Sequence, residues 1–124
     1  MPYVTISASQ HLPVDVKKQL LQRASDAVVE SIGAPLSSVR VMFHNLPEEA
    51  YLNAGKFGTD ACMFEVDLIE GRTEAQKDAL IAALSRAGSD VTGLPETEVR
   101  VRLTDFPKSN MGIAGGISAR AAGR

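Results

Sequence analysis

Two short segments of this chain have nearly the same pattern of glycine, proline and valine. Residues 33–41 read GAPLSSVRV, and residues 93–101 read GLPETEVRV. In each segment the glycine suits a left-handed helix C-cap, the proline stops the helix, and the Val-Arg-Val run favours a strand. A helix end followed by a strand start, twice and 60 residues apart, predicts an internal repeat.

The same spacing links identical residues outside these segments. The further pairs are Lys17 and Lys77, Leu20 and Leu80, Ser25 and Ser85, Ala27 and Ala87, Pro47 and Pro107, and Ala54-Gly55 and Ala114-Gly115. The alternative is two unrelated units that share only the glycine and proline residues at their helix ends. All the identical pairs have the same offset without gaps, which favours duplication. We therefore expect a single domain over 1–124, with repeat 1 at 2–60 and repeat 2 at 62–124.

Each repeat is predicted to form a strand, a helix and a strand. Alternating apolar residues indicate half-buried strands, and apolar residues at helical spacing indicate helices that are buried on one side. Thr73 and Gln76 have the spacing of a capping box, which starts the second helix. The expected strand positions are Val4, Ile6 and Ala8; Val39, Val41 and Phe43; Phe64, Val66 and Leu68; and Val99, Val101 and Leu103. The expected helical stripes are Val16, Leu20, Ala24, Ala27 and Val28, within a helix from about Pro13 to Ile32, and Ala79, Leu80, Ala83, Leu84 and Ala87.

These elements predict an α+β fold with two consecutive βαβ repeats. A helix between two strands allows them to be parallel, so each repeat should contribute a parallel pair to a four-stranded sheet. Both helices should lie on one face of that sheet. The other face would be bare, so we expect an oligomer.

Composition excludes several classes of function. The 124 residues have a net charge of −2 and a pI near 5.6, which does not favour nucleic acid as a partner. No apolar run approaches the roughly 20 residues that span a membrane, and the first residues lack the features of a signal peptide. We therefore expect a cytoplasmic protein. The single Cys62 and the isolated His11 and His44 give no metal site, and no cofactor is expected.

Pro2 is the first candidate for chemistry. Initiator methionine is usually removed before a small residue, and its loss would leave a prolyl secondary amine at the start of a buried strand. Burial and nearby arginines would lower the pKa of that amine and keep it neutral at pH 7. Retention of Met1 would instead make the nitrogen an amide, which is not a base. Arg40, Arg72, Arg100 and Arg102 are candidates for binding a carboxylate, because the guanidinium is a planar fork.

Three segments carry a resemblance to a known family. Residues 68–77 (LIEGRTEAQK) resemble the opening of the 4-oxalocrotonate tautomerase subunit, residues 34–41 (APLSSVRV) its second strand, and residues 111–116 (MGIAGG) its C-terminal hairpin. Pro2 resembles its catalytic proline. Those subunits are about half the present length, so the chain is identified as a fused member of the tautomerase superfamily.

The resemblance implies an isomerase that transfers a proton on a small 2-hydroxy or 2-oxo carboxylate. It implies that Pro2 is the base and that Arg72 and Arg100 are catalytic. It also implies that Arg40, Arg102, Tyr51 and Met111 line the substrate site, with Arg40 and Arg100 both matching one family arginine and Tyr51 and Met111 both matching an aromatic position. The expected partners are the substrate and two further copies of the chain in a homotrimer.

Two positions depart from the family pattern. Cys62 stands where repeat 2 should have proline, and Leu12 stands where repeat 1 should have the loop arginine. One repeat thus keeps the base and the other keeps the arginine, which predicts one complete site in each chain.

Alternative functions include other reactions of the tautomerase superfamily and a binding module from outside it. A dehalogenase-type hydratase would need a helix histidine near Val28 or Val29, and a decarboxylase would need other partner residues around Arg72. A ferredoxin-like binding module has the same order of elements but an antiparallel sheet throughout. Strand direction therefore distinguishes that binding module from the tautomerase fold.

Overall fold

A computed structural model of the chain describes residues 1–9 and 11–124. The main strands are β1 (Tyr3–Ala8), β2 (Arg40–Asn45), β3 (Cys62–Ile69) and β4 (Val99–Phe106), and a small hairpin has β5 (Gly112–Ile113) and β6 (Ile117–Ser118). The helices are α1 (Val14–Ile32) and α2 (Glu74–Thr92). Within the described ranges, no helix has the length and hydropathy that crossing a membrane requires.

The four long strands form one sheet in the order β2-β1-β3-β4. β1 is parallel to β2 and β3 is parallel to β4, so each repeat contributes a parallel pair. The two central strands, β1 and β3, are antiparallel. The predicted α+β fold is therefore confirmed, and the antiparallel sheet of a ferredoxin-like module is excluded.

The repeats are related by a local two-fold axis between β1 and β3. Thr5 pairs with Glu65, which is its own equivalent in the other repeat. The helices begin at equivalent residues, Val14 and Glu74, and each ends at a glycine in the left-handed conformation. The positive φ values of Gly33 (66°) and Gly93 (78°) explain why glycine recurs there.

One face of the sheet is covered by both helices. The buried strand residues alternate, as predicted, and they pack against a stripe on each helix. On α2 the stripe consists of Leu80, Leu84, Ala87 and Gly88. The prediction for Ala79 was wrong: its side chain is exposed, because it lies about 100° around the helix from Leu80.

The start of α2 is fixed by the capping box that the sequence predicted. The Thr73 hydroxyl accepts a hydrogen bond from the Gln76 N–H at 3.2 Å, and the Thr73 N–H donates to the Gln76 side chain at 3.0 Å. The helix of repeat 1 has no such box, and Pro13 is its N-cap residue. The capping box fixes the backbone immediately after Arg72, and so helps to place that side chain.

The repeats differ in how they fill the space between helix and strand. Repeat 1 has Val28 on α1 and Val4 on β1, and repeat 2 has Gly88 and Phe64 at the equivalent positions. A Cβ atom on Gly88 would lie 2.9 Å from the Phe64 ring and 2.9 Å from a Val99 methyl. The larger ring on the strand therefore requires the smaller residue on the helix.

We predict that Gly88→Ala destabilises the protein. Two contacts of 2.9 Å place the overpacking cost toward the upper part of about 1–3 kcal/mol, and the gain in helix propensity is only about 1 kcal/mol. In a Phe64→Val background the same substitution should cost at least about 1 kcal/mol less, since that strand position then resembles Val4. Chemical denaturation of the four proteins in this cycle measures the coupling. An equal cost of Gly88→Ala in both backgrounds would contradict the packing argument.

Candidate active site

A cleft of about 450 Å³ lies at the start of β1. The antiparallel register pairs Tyr3 with Asp67, so the residues before Tyr3 lie beside the loop that follows β3. The lining residues come from the chain start, the turn before β2, the β3–α2 loop and the C-terminal segment. They are Met1, Pro35, Ser38, Ile69, Glu70, Gly71, Arg72, Gln76, Lys108 and Arg124.

The chain start is held firmly at this cleft. The Met1 amino group donates a hydrogen bond to the Ser38 carbonyl oxygen at 2.9 Å. The Met1 side chain packs in a small apolar cluster with Met111 and Ala119, and Pro2 is fully buried beneath it. The cleft thus has a polar wall around the amine and an apolar floor behind it.

The electrostatic environment disfavours a positive charge on the amine. Burial, followed by the positive charges of Arg124, Arg72 and Arg40, lowers the pKa of the Met1 amino group from its ordinary value of 8.0. An amine with this environment is neutral over a larger part of the physiological pH range than an exposed one.

Arg72 is positioned by the turn between β3 and α2. Gly71 has φ 124°, which a residue with a side chain rarely adopts, and Arg72 Nη1 donates to the Ile69 carbonyl at 3.2 Å. Glu70 is tied to the end of β4, because its N–H donates to the Phe106 carbonyl at 2.9 Å. The guanidinium has five N–H donors, so the bond to Ile69 leaves others for a ligand.

The equivalent end of the sheet, at the start of β3, is closed. Cys62 and Ala61 are buried there, and the Ala61 N–H donates to the Ser9 hydroxyl at 2.6 Å. Leu12, which replaces the loop arginine, packs into the main core. Burial raises the pKa of the Cys62 thiol to about 11, so the thiol is protonated and inert at neutral pH.

The other predicted site residues fall into two groups. Arg40 and Met111 lie near the amine: the Arg40 N–H donates to the Pro2 carbonyl at 3.2 Å, and Met111 packs against Met1. Arg100, Arg102 and Tyr51 instead line a separate cleft of about 390 Å³ along β3 and β4. There Arg102 forms an ion pair with Glu65 at 2.9 Å.

Within one chain, the structure therefore does not bring Arg100, Arg102 or Tyr51 to the Pro2 cleft. The reason is topological. Arg100 pairs with Met63 near the start of β3, and β3 is antiparallel to β1, so Arg100 lies toward the end of the sheet away from the start of β1. Arg100 also donates to the Thr97 carbonyl at 2.6 Å, which holds it near the start of its own strand.

Sequence reasoning missed two cationic residues of the cleft, Lys108 and Arg124. Both belong to the segment 107–124, whose glycine and alanine content marks it only as a tail. Their place depends on how that tail folds back, and no local pattern in the sequence predicts this. Among the described residues, no group of three or more His, Cys, Asp and Glu side chains is placed to hold a metal ion.

Comparison with known proteins matches both repeats to one family. The model of the tautomerase enzyme family matches residues 2–61 and 64–120. A 2-hydroxymuconate tautomerase of Pseudomonas putida is 50% identical over 60 residues, which are 48% of this chain and 94% of that protein. One from Comamonas testosteroni is 45% identical over 60 residues, with the same coverage of each chain.

Solved structures match over nearly the whole length. The crystal structure of Pt0534 inactivated by 2-oxo-3-pentynoate has 69% identity and a TM-score of 0.97, and the match covers 98% of this chain and 99% of that one. The wild-type symmetric trimer of Q0 fused 4-OT has 44% identity, a TM-score of 0.95 and the same coverage.

The chain therefore belongs to the tautomerase family, as a fused, double-length member of the 4-oxalocrotonate tautomerase type. These relatives support tautomerase activity, and hence an isomerase. Val28, one of the two positions where the resemblance places the helix histidine of the dehalogenases, is fully buried in the core. A histidine at that position could not reach the cleft without displacing the core.

Proposed function

We propose that removal of Met1 converts this chain into a tautomerase of small 2-hydroxy or 2-oxo carboxylates, with the Pro2 amine as general base. One observation carries the proposal. The amino group at the start of β1 lies partly buried beside Arg72, in surroundings that lower its pKa. After Met1 is lost, the amine would move one residue inward, to a residue that is already fully buried.

Removal of Met1 has two consequences in this proposal. It converts the Pro2 nitrogen from an amide, which has no basic lone pair, into a secondary amine. It also vacates the space between the cleft and the apolar cluster of Met111 and Ala119. That space is suited to the carbon chain of a substrate whose carboxylate lies against Arg72.

The proposed reaction needs one base and one stabiliser of negative charge. The neutral Pro2 amine takes the proton from the enol hydroxyl of the substrate, and the electrons of that O–H bond form the carbonyl. The carbon–carbon double bond shifts, and the Pro2 ammonium returns a proton to carbon. The Arg72 guanidinium binds the carboxylate and stabilises the charge that develops on the enolate.

We further propose that three chains assemble into a trimer, as the fused 4-OT relatives do. The sheet face opposite the helices supports this, because its strand residues are only partly buried or exposed. The cluster of Met1, Met111 and Ala119 packs against this face only near Tyr3, Ile69 and Phe106, at one end of the sheet. Several large apolar side chains are also exposed, including Met42, Leu52 and Phe57. In the trimer, Arg100 and its cleft neighbours Arg102 and Tyr51 would contribute to the Pro2 cleft of an adjacent chain.

The trimer is tested by the mass of the protein in solution. Light scattering at micromolar concentration should give three times the mass of one 13.2 kDa chain. A stable monomer would contradict the trimer, and with it the proposed role of Arg100 in a neighbouring site.

Arg72→Ala should lower kcat/KM strongly on every carboxylate substrate that the enzyme accepts. Loss of a guanidinium that stabilises developing charge costs about 2–4 kcal/mol of transition-state stabilisation. Arg86→Ala is the control, since Arg86 is an exposed arginine of α2 that does not line the cleft. Steady-state kinetics that place Arg72→Ala and Arg86→Ala at equal rates would refute the role of Arg72.

The Pro2 base predicts a specific dependence on pH and on processing. We expect the surroundings that lower the pKa of the Met1 amine to lower that of the Pro2 amine as well, so the active neutral form is gained as pH rises. In the processed enzyme kcat/KM should therefore increase with pH through a single ionisation, with a midpoint below the ordinary α-amino range of about 7.7–8.0. Pro2→Ala keeps an amine and should retain part of the activity.

A preparation in which Met1 is wholly retained, as verified by mass spectrometry, should be inactive toward phenylenolpyruvate and 2-hydroxymuconate. Equal activity of the retained and processed forms would show that Pro2 is not the base. The control is the retained form after treatment with an aminopeptidase that removes Met1, which should recover the rate of the processed enzyme.

A further inference from the structure

The C-terminal turn holds Arg124 in a defined place at the cleft. The Arg124 N–H donates to the Ala119 carbonyl at 2.9 Å, and the Gly123 N–H donates to the Arg120 carbonyl at 3.1 Å. Gly123 has φ 74°, so these bonds form the Schellman pattern in which a left-handed glycine ends a helical turn. Arg124 is the residue that this pattern fixes directly after the glycine.

This C-terminal turn is anchored to the apolar cluster behind the cleft. Ala119 is fully buried against Met1 and Met111, and its N–H donates to the Met111 carbonyl at 2.8 Å. The Arg120 N–H donates to the Lys108 carbonyl at 3.1 Å, which ties the turn to a second lining residue. Hydrogen bonds and packing therefore hold the backbone that carries Arg124 against the residues around the cleft.

The cleft has more positive charge than one carboxylate requires. Among the lining side chains, Arg72, Lys108 and Arg124 are cationic and Glu70 alone is acidic. Glu70 is engaged in part by the Lys108 N–H, which lies 3.4 Å from its carboxylate oxygen. One arginine can bind one carboxylate with both arms of its guanidinium. A second cationic side chain, separate from Arg72, is therefore available for a second anionic group on the ligand.

We propose that Arg124, assisted by Lys108, binds the second carboxylate of a dicarboxylate substrate whose first carboxylate is held by Arg72. This rests on the proposed function and makes Arg124 a residue that determines specificity between dicarboxylates and monocarboxylates. The two arginines come from different elements, the β3–α2 loop and the C-terminal turn, so they face the ligand from separate parts of the wall. Arg124 is also close enough to the chain-start amine to contribute to its lowered pKa.

The test compares two substrates in the processed enzyme. 2-Hydroxymuconate has two carboxylates, and phenylenolpyruvate has one carboxylate and an apolar ring. Arg124→Gln should raise KM for 2-hydroxymuconate by roughly tenfold or more, the effect of losing a charge-assisted hydrogen bond, with little change in kcat. The KM for phenylenolpyruvate should stay within about twofold. Rates are compared on the pH plateau, because loss of the Arg124 charge also raises the pKa of the base.

Three further variants separate a charge effect from a structural one. Arg120→Gln removes an exposed arginine from the same turn that does not line the cleft, and it should leave both KM values unchanged. Arg124→Lys keeps the charge and should restore part of the affinity for 2-hydroxymuconate. Gly123→Ala strains the left-handed position and should raise the same KM while the guanidinium remains in the chain.

The outcomes distinguish this proposal from the one on which it rests. If the parent enzyme turns over both substrates and Arg124→Gln weakens both equally, or weakens neither, the role of Arg124 is refuted and the proposed function stands. If Arg120→Gln gives the same selective loss as Arg124→Gln, the effect is one of net charge and the specific site is refuted. If the processed parent turns over neither substrate, both proposals fail.

Discussion

The antiparallel pairing of β1 with β3 is the constraint on which the rest of the molecule depends. Thr5 lies opposite Glu65 in this pairing. The start of the first strand of each repeat therefore lies beside the loop that follows the first strand of the other repeat. A site at one end of the sheet is therefore composite by geometry, with the amine from repeat 1 and the arginine from repeat 2. The parallel pairs outside, β1 with β2 and β3 with β4, then give each repeat its own βαβ unit.

The two ends of the sheet differ in what their residues do. At one end an amine, Arg72 and a cleft remain, while at the other Leu12 and Cys62 are part of the packed interior. The hydrogen bond between Ala61 and Ser9 closes the backbone at that second end. The interior also differs between the repeats, since the volume of Phe64 is accommodated by the absence of a side chain at Gly88. The chain thus has an open cleft at one end of the sheet and additional buried core at the equivalent end.

Much of the fold was predictable because its signals are local and occur twice. The left-handed glycines 33 and 93, the capping box at Thr73 and the alternation along the strands each depend on a few neighbouring residues, and the structure confirms them. The error at Ala79 concerns a small residue at the margin of a stripe, where alanine is compatible with either environment.

The site was only partly predictable because its members are far apart in sequence. The meeting of the chain start with Arg72 could be anticipated from the complementary substitutions Cys62 and Leu12. The cleft of Arg100, Arg102 and Tyr51 could not, since equivalent positions in the two repeats lie at opposite edges of the sheet. The place of Arg124 in the cleft depends on the hydrogen bonds of its turn, which no local sequence pattern predicts.

The central claim is that a proline amine lies in a desolvated cleft beside Arg72. Its most direct test is an NMR titration of the protein labelled with ¹⁵N-proline, with Met1 removed, in which the Pro2 nitrogen is followed as a function of pH. We expect the pKa of this secondary amine to lie below the ordinary α-amino range of about 7.7–8.0. In Arg72→Ala that pKa should rise, because one repelling charge is lost. A Pro2 pKa at or above the ordinary range, unchanged by Arg72→Ala, would contradict it.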